Sequence, residues 1–168
     1  MLKESKIIFG IDPGFDRCGF GVVRYDGHGY ELIDTGCITT SKDLTHGERL
    51  HEVAGDLQLL LARHKPDMIA IEDLFFSKNV KTAMKVAESR GVALMIASEF
   101  NVPIIELNPN QIKLAICGDG RADKCRVQEM VTKVLKLKTI PESDDAADAL
   151  AIAICAATIN EATNLRRA

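Results

Sequence analysis

The sequence predicts an α/β fold with a mixed five-stranded sheet, three antiparallel strands followed by parallel ones, flanked by helices on both faces. Three observations predict it. The N-terminal third holds short, partly β-branched runs punctuated by glycine. The middle alternates a short apolar run, a longer helical stretch and a second short apolar run. The chain then closes on an alanine-rich segment, DDAADALAIAICAATI, that is nearly all apolar after its first turn.

Residues 7–12 (IIFGID), 18–26 (CGFGVVRYD) and 29–39 (GYELIDTGCIT) read as strands, and Asp26-Gly27 is a hairpin signal between the second and third. Thr45 or Gly47 starts a helix through about His64, where Leu50, Val53, Ala54, Leu57, Leu60 and Leu61 recur at helical spacing and Pro66 lies just beyond. Residues 67–73 and 102–107 are too short for helices, and a helix from about Val80 to Phe100 joins them as a βαβ unit. After Pro109 the pattern gives short helices over 111–117 and 124–136, separated by the glycine loop CGDGRADK, and a last helix over 144–159 that must be buried against the sheet. No repeat or linker interrupts the pattern. One domain over 1–168 is expected, with its core at about 6–160 and a C-terminal tail, NLRRA, that frays.

No run reaches the roughly 18 apolar residues of a membrane span, and the apolar run after MLKESK is too short for a signal peptide, so a soluble cytoplasmic protein is expected. The cysteines Cys18, Cys37, Cys117, Cys125 and Cys155 are odd in number and lack C-x-x-C spacing, which predicts reduced thiols used mostly in packing. The net charge of −3 does not advertise a nucleic-acid binder, yet residues 73–138 carry eleven Lys or Arg against seven Asp or Glu, a local +4. A basic face diluted by acidic flanks is permitted by these numbers. So are lysines on ordinary solvated helices.

Chemistry concentrates in carboxylates. Asp12 and Glu72 each end an apolar strand, where an acid costs heavily in desolvation unless it is paired or metal-bound. Asp145 and Asp148 share one face of the last helix by their i,i+3 spacing. Ser143 or Asp144 makes a good N-cap and the helix dipole stabilises first-turn acids, which accounts for Asp145 but explains the deeper Asp148 poorly. Converging carboxylates repel one another, and a hard divalent cation with oxygen ligands relieves them. Magnesium or manganese fits, and two such ions roughly 3.5 to 4 Å apart support in-line phosphodiester hydrolysis without a catalytic His or Ser. His28, His46, His51 and His64 all fall in the hairpin or first helix and read as surface or helix residues.

The motifs GIDPG (10–14), GFGVV (19–23), AIEDLFFSKN (70–79), SRGVAL (89–94) and DDAADALAIA (144–153) together resemble the RuvC family of Holliday junction resolvases, over about residues 6 to 159. The resemblance implies an RNase H-like nuclease in which Asp12, Glu72, Asp145 and Asp148 bind two Mg2+ ions and cut DNA. It also implies a homodimer that grips a four-way DNA junction, nicks it symmetrically during recombination and repair, and works beside a branch-migration motor of the RuvA and RuvB type. Phe75 is expected to stack on junction bases, with Phe76 a competing candidate. Lys113 and Lys124 match the family's basic positions near the scissile phosphate, and Lys78 and Asn79 are further candidates for DNA contact. Two positions depart from the pattern: Cys18 stands where Thr is usual, and Asp16 puts an acid into a turn that is often basic.

Two other classes compete. G-I-D-x-G before a hairpin also cradles phosphate in actin-like and sugar-kinase ATPases, but these use two such domains and 168 residues leave no room for the second. A non-cleaving module for branched DNA is disfavoured by the intact acidic set.

Overall fold

The computed structural model of the chain describes residues 5–74, 80–139, 141 and 143–165. β1 (Lys6–Asp12), β2 (Arg17–Tyr25) and β3 (Tyr30–Thr39) form an antiparallel meander, and β4 (Met68–Glu72) and β5 (Ile104–Leu107) continue the sheet in parallel beside β1, giving the order β3-β2-β1-β4-β5. The predicted mixed sheet is therefore present, including the parallel β4–β5 pair. An irregularity at Val22/Val23, where Ile33 is the extra residue on β3, has no signature in the sequence pattern.

Alternation along β1 sorts the two layers. Phe9 and Ile11 point into a core with Val53, Leu57 and Leu61 of α1 (His46–His64) and Ala93, Ile96 and Ala97 of α2 (Val80–Ser98). Ile8 points into the opposite core, built with α3 (Pro109–Cys117), α4 (Lys124–Val134) and α5 (Asp144–Leu165). α1 starts where the sequence predicts. Thr45 and Glu48 form a capping box, and Lys65 in the left-handed region closes the helix before Pro66. α5 continues beyond the expected Ile159 to Leu165, so Asn164 and Leu165 of the expected tail are helical, while α4 ends two residues before the expected Lys136.

What lets α5 lie on the sheet is glycine. A Cβ on Gly10 would run into the backbone of Ala149 and Ala153, one on Gly19 into the backbone of Asp145, and one on Gly21 would meet the Leu150 amide nitrogen at 2.7 Å. Gly10 pairs with Gly21 across β1 and β2, and Gly19 pairs with Asp12, so the three form a contiguous seat. Alanines 146, 149 and 153 supply the matching thin face of the helix, and all are buried. Close approach, rather than conformational freedom, is the role of the glycines in GID and GFG.

Candidate active site

Asp12 and Glu72 are the last residues of adjacent parallel strands, with Ile11 opposite Ile71 in register, so the two carboxyls emerge side by side at one edge of the sheet. A hydrogen bond joins them. Burial, and then the charge of Glu72, Asp148 and Asp145, pushes the Asp12 carboxyl up to about 8. Burial and Asp148 push Glu72 up to about 7, against the lowering effect of its bond to Asp12 and of Lys113 and Lys124. Together they hold a proton near neutrality, as closely coupled carboxyls do.

The glycine seat supplies the other two acids. Asp145 rests over Gly19, the partner of Asp12, and Asp148 lies one turn further along α5. Ser143 accepts the Ala146 amide at 3.0 Å and so takes the capping duty, which leaves Asp145 free to face the site. Burial raises the Asp148 carboxyl, opposed by its bond to Lys124. Glu72, Asp148 and Asp145 thus all lie close enough to Asp12 for their charges to act on its carboxyl.

Their countercharges come from two sides. Lys124, at the start of α4, bonds Asp148 at 3.0 Å and Asp144 at 3.3 Å. Lys113 on α3 is close enough to lower Glu72. On the other side the Arg17 Nε donates to Asp145 Oδ2 at 2.6 Å. Among the described residues no three His, Cys, Asp or Glu side chains form a closed ligand set, with Asp145 engaged by Arg17 and Asp148 by Lys124. The donor set still fits a hard divalent cation: it is all carboxylate and partly desolvated, and burial together with the neighbouring carboxylates pushes two members toward neutrality.

Phe75, Phe76, Lys78 and Asn79 lie outside the described residues. Gly118 has a local explanation: at φ 69° it is the left-handed cap of α3, its amide bonded to Leu114. Among the histidines, His64 bonds Asp34 at 2.9 Å and His46 bonds Glu88, both away from the acids.

Three supporting residues escape a sequence reading. Arg90 of α2 donates from Nε to the Glu72 carbonyl at 3.0 Å and also binds Asp73 and Glu106, so it clamps the strand end that presents Glu72. Arg17 had no signal beyond its nearness to GIDPG. The Cys37 thiol lies 3.8 Å from Asp145 Oδ2, whereas Cys18 and Cys155 are buried as packing thiols; all five cysteines are free. The acid at position 16 is neutralised structurally, because Asp16 binds the buried Arg49, which also donates to Thr40 and lies over the Phe15 ring. Cys18 is fully buried in the core under α1.

The chain is similar to known proteins over most of its length. The family model described as crossover junction endodeoxyribonuclease RuvC matches residues 8–156. A relative of that name from Ruminiclostridium cellulolyticum is 46% identical over 149 residues, covering 89% of this chain and 90% of its own. The RuvC structure of Thermus thermophilus superposes with a TM-score of 0.86 at 34% identity, over 94% of this chain and 96% of that one. The same organism's RuvC in complex with a Holliday junction substrate gives 0.84 at 32% identity, over 92% and 95%. The fold is thus RNase H-like, the strand-end acids and the α5 acids fall within the matched span, and the chain belongs to the RuvC family of crossover junction endodeoxyribonucleases.

Proposed function

We propose that this chain is a structure-selective endonuclease that resolves four-way DNA junctions by hydrolysing phosphodiester bonds, with Asp12, Glu72, Asp145 and Asp148 as its metal-binding catalytic set. The observation that carries the reading is the convergence of these four carboxylates at the sheet edge, in a chain whose relative of known structure was solved with a Holliday junction. Residues 6–160 act as one catalytic unit. The assembly is a homodimer making paired nicks, alongside a branch-migration motor of the RuvA and RuvB type. Among the described residues no helix is long and apolar enough to cross a membrane.

These carboxylates would hold two Mg2+ ions, and Mn2+ would suit the same oxygen donors. When bound, such ions activate a water and stabilise the leaving oxygen of an in-line displacement. The protein's own part is charge placement. Asp12 and Glu72 release their shared proton as the site fills, and the rigid strand ends and the seated helix fix where their oxygens point. Lys113 and Lys124 draw the scissile phosphate toward the acids, supplying sequence-independent affinity. Phe75 stacks on a base at the junction centre, and Lys78 and Asn79 extend the contact.

The test is cleavage of a synthetic four-way junction in magnesium. Wild type is expected to nick it symmetrically, and Asp12→Asn to bind it without cutting. Normal cutting by Asp12→Asn, or ATP hydrolysis without junction cleavage, would overturn the reading.

A further inference from the structure

Two cations hold the α5 carboxylates from opposite directions. Lys124 does so from α4, and its place beside the scissile phosphate is part of the function proposed above. Arg17 does so from the first position of β2. Because β2 runs antiparallel to β1, that position lies at the same sheet edge as Asp12 and Glu72. Arg17 precedes Gly19 by two residues, so its side chain leaves the sheet on the face where α5 sits.

The Arg17 side chain is 50% exposed. Among the described residues Asp145 is its one hydrogen-bonded side chain, through Nε alone, which leaves the other N–H groups of the guanidinium fork without a protein partner. The acid beside it in sequence does not compete, since Asp16 is bound to Arg49. An exposed Arg–Asp pair is a weak restraint. Once Asp145 is engaged in holding a divalent cation, its charge no longer needs Arg17, and a phosphate entering at the strand ends offers the planar fork a better match.

We propose that Arg17 is a DNA-backbone-binding residue that exchanges Asp145 for a junction phosphate when the site is loaded. It grips the strand from the β2 side of the cleft while Lys113 and Lys124 grip it from the α3–α4 side. The basic function missing from the 13–16 turn is thereby supplied one residue later. This inference rests on the junction-resolving reading above.

The experiment uses the full chain in two measurements. Junction binding is followed against salt in magnesium, comparing Asp12→Asn with Asp12→Asn/Arg17→Ala so that no cutting interferes. Removing Arg17 is expected to weaken binding several-fold at low salt and to lower the log–log salt slope by about 0.9 for each Arg17 that reaches a phosphate. Calorimetric titration of Mn2+ into DNA-free protein is expected to show about three-fold tighter binding in Arg17→Ala than in wild type, because a competing cation is gone from Asp145. An unchanged salt slope overturns the proposal, and so does unchanged or weaker Mn2+ binding. Arg17→Gln, which keeps a hydrogen-bond donor for Asp145 but no charge, must give the same slope loss and guards against a folding defect in the alanine variant. If the Asp12→Asn parent shows no preference for a junction over duplex, the function reading itself fails. If the parent prefers the junction and the slopes coincide, only Arg17 is wrongly placed.

Discussion

Gly19 lies directly under the backbone of Asp145, with no room for a single methyl group between them. Because Gly19 is also the register partner of Asp12, one missing side chain sets the distance between the strand carboxylate and the helix carboxylate. Gly19→Ala is expected to lift the first turn of α5 off the sheet, costing about 1–3 kcal/mol of stability as overpacking does. Cleavage should fall at least ten-fold, since roughly 1.4 kcal/mol of lost transition-state stabilisation suffices for that. Gly55→Ala in α1, where an added Cβ meets nothing, is the control and should raise stability by up to about 1 kcal/mol. Thermal melts and junction cleavage of both variants check this; a Gly19→Ala protein that melts and cuts like wild type would remove the glycine seat from the explanation.

The acidic pair makes the metal-free protein sensitive to pH. Asp12 at about 8 and Glu72 at about 7 both lie above their free values of 3.8 and 4.5, so between roughly pH 4 and 8 this pair holds more protons in the folded chain than in the unfolded one. Stability contributed by the neutral carboxyls is complete below pH 4 and is lost as pH rises through 7 to 8. Asp12→Asn keeps a neutral side chain there at all pH values. In a metal chelator it is expected to exceed wild type in stability at pH 8 by on the order of 2 kcal/mol, with the difference shrinking toward pH 5. Added Mg2+ should raise the wild-type melting temperature at pH 8 and raise that of Asp12→Asn far less. Parallel stability curves for the two proteins across this range would show that the carboxyl cluster is not under charge strain.

The same pair shows how far the sequence could be read. Asp12 and Glu72 are legible because an acid ending an apolar strand has few structural uses, and strand period and helix period together give the mixed character of the sheet from local pattern, whereas the strand order β3-β2-β1-β4-β5 is a tertiary fact. Asp145 is ambiguous in sequence because the helix dipole favours an acid in the first turn whatever else it does; of the two cap candidates, Ser143 and Asp144, the structure shows Ser143 accepting the Ala146 amide. Arg17, Arg90 and Cys37 are invisible for a different reason. Each acts on the site across at least 18 positions of sequence, Arg17 and Cys37 on Asp145 and Arg90 on the Glu72 carbonyl, and no spacing rule links residues so far apart. The roles of the GID and GFG glycines are likewise tertiary, since the helix they accommodate arrives from the other end of the chain.

Asp16 tests whether the β1–β2 turn is held from α1. Its partner Arg49 is 9% exposed and also donates to Thr40 at 2.9 Å, whose hydroxyl in turn donates to the Phe15 carbonyl at 2.7 Å. Removing a partner of a buried charge costs more than the pair contributes, because the remaining charge is left desolvated. Asp16→Ala is therefore expected to lose about 1–3 kcal/mol in denaturant unfolding, at the lower end because Asp16 itself is half exposed. The double variant Asp16→Ala/Arg49→Met should recover part of that loss. No recovery would mean that Arg49 contributes through packing and its hydroxyl contact rather than through charge.

Arg90 separates positioning from binding. One guanidinium reaches the Glu72 carbonyl and the carboxylates of Asp73 and Glu106, so it fixes the backbone that carries Glu72 without touching the site itself. Arg90→Lys keeps the charge but cannot serve three acceptors with one ammonium in that fixed geometry. The expected result is a split: junction affinity within about two-fold of wild type, because the local charge is conserved, and a single-turnover cleavage rate lowered about ten-fold, equivalent to roughly 1.4 kcal/mol, because the Glu72 oxygens are less well placed. A loss of affinity with no loss of rate would instead make Arg90 part of the DNA-facing surface, and an unchanged rate and affinity would mean that β4 holds Glu72 through its parallel pairing with β1 and β5 alone.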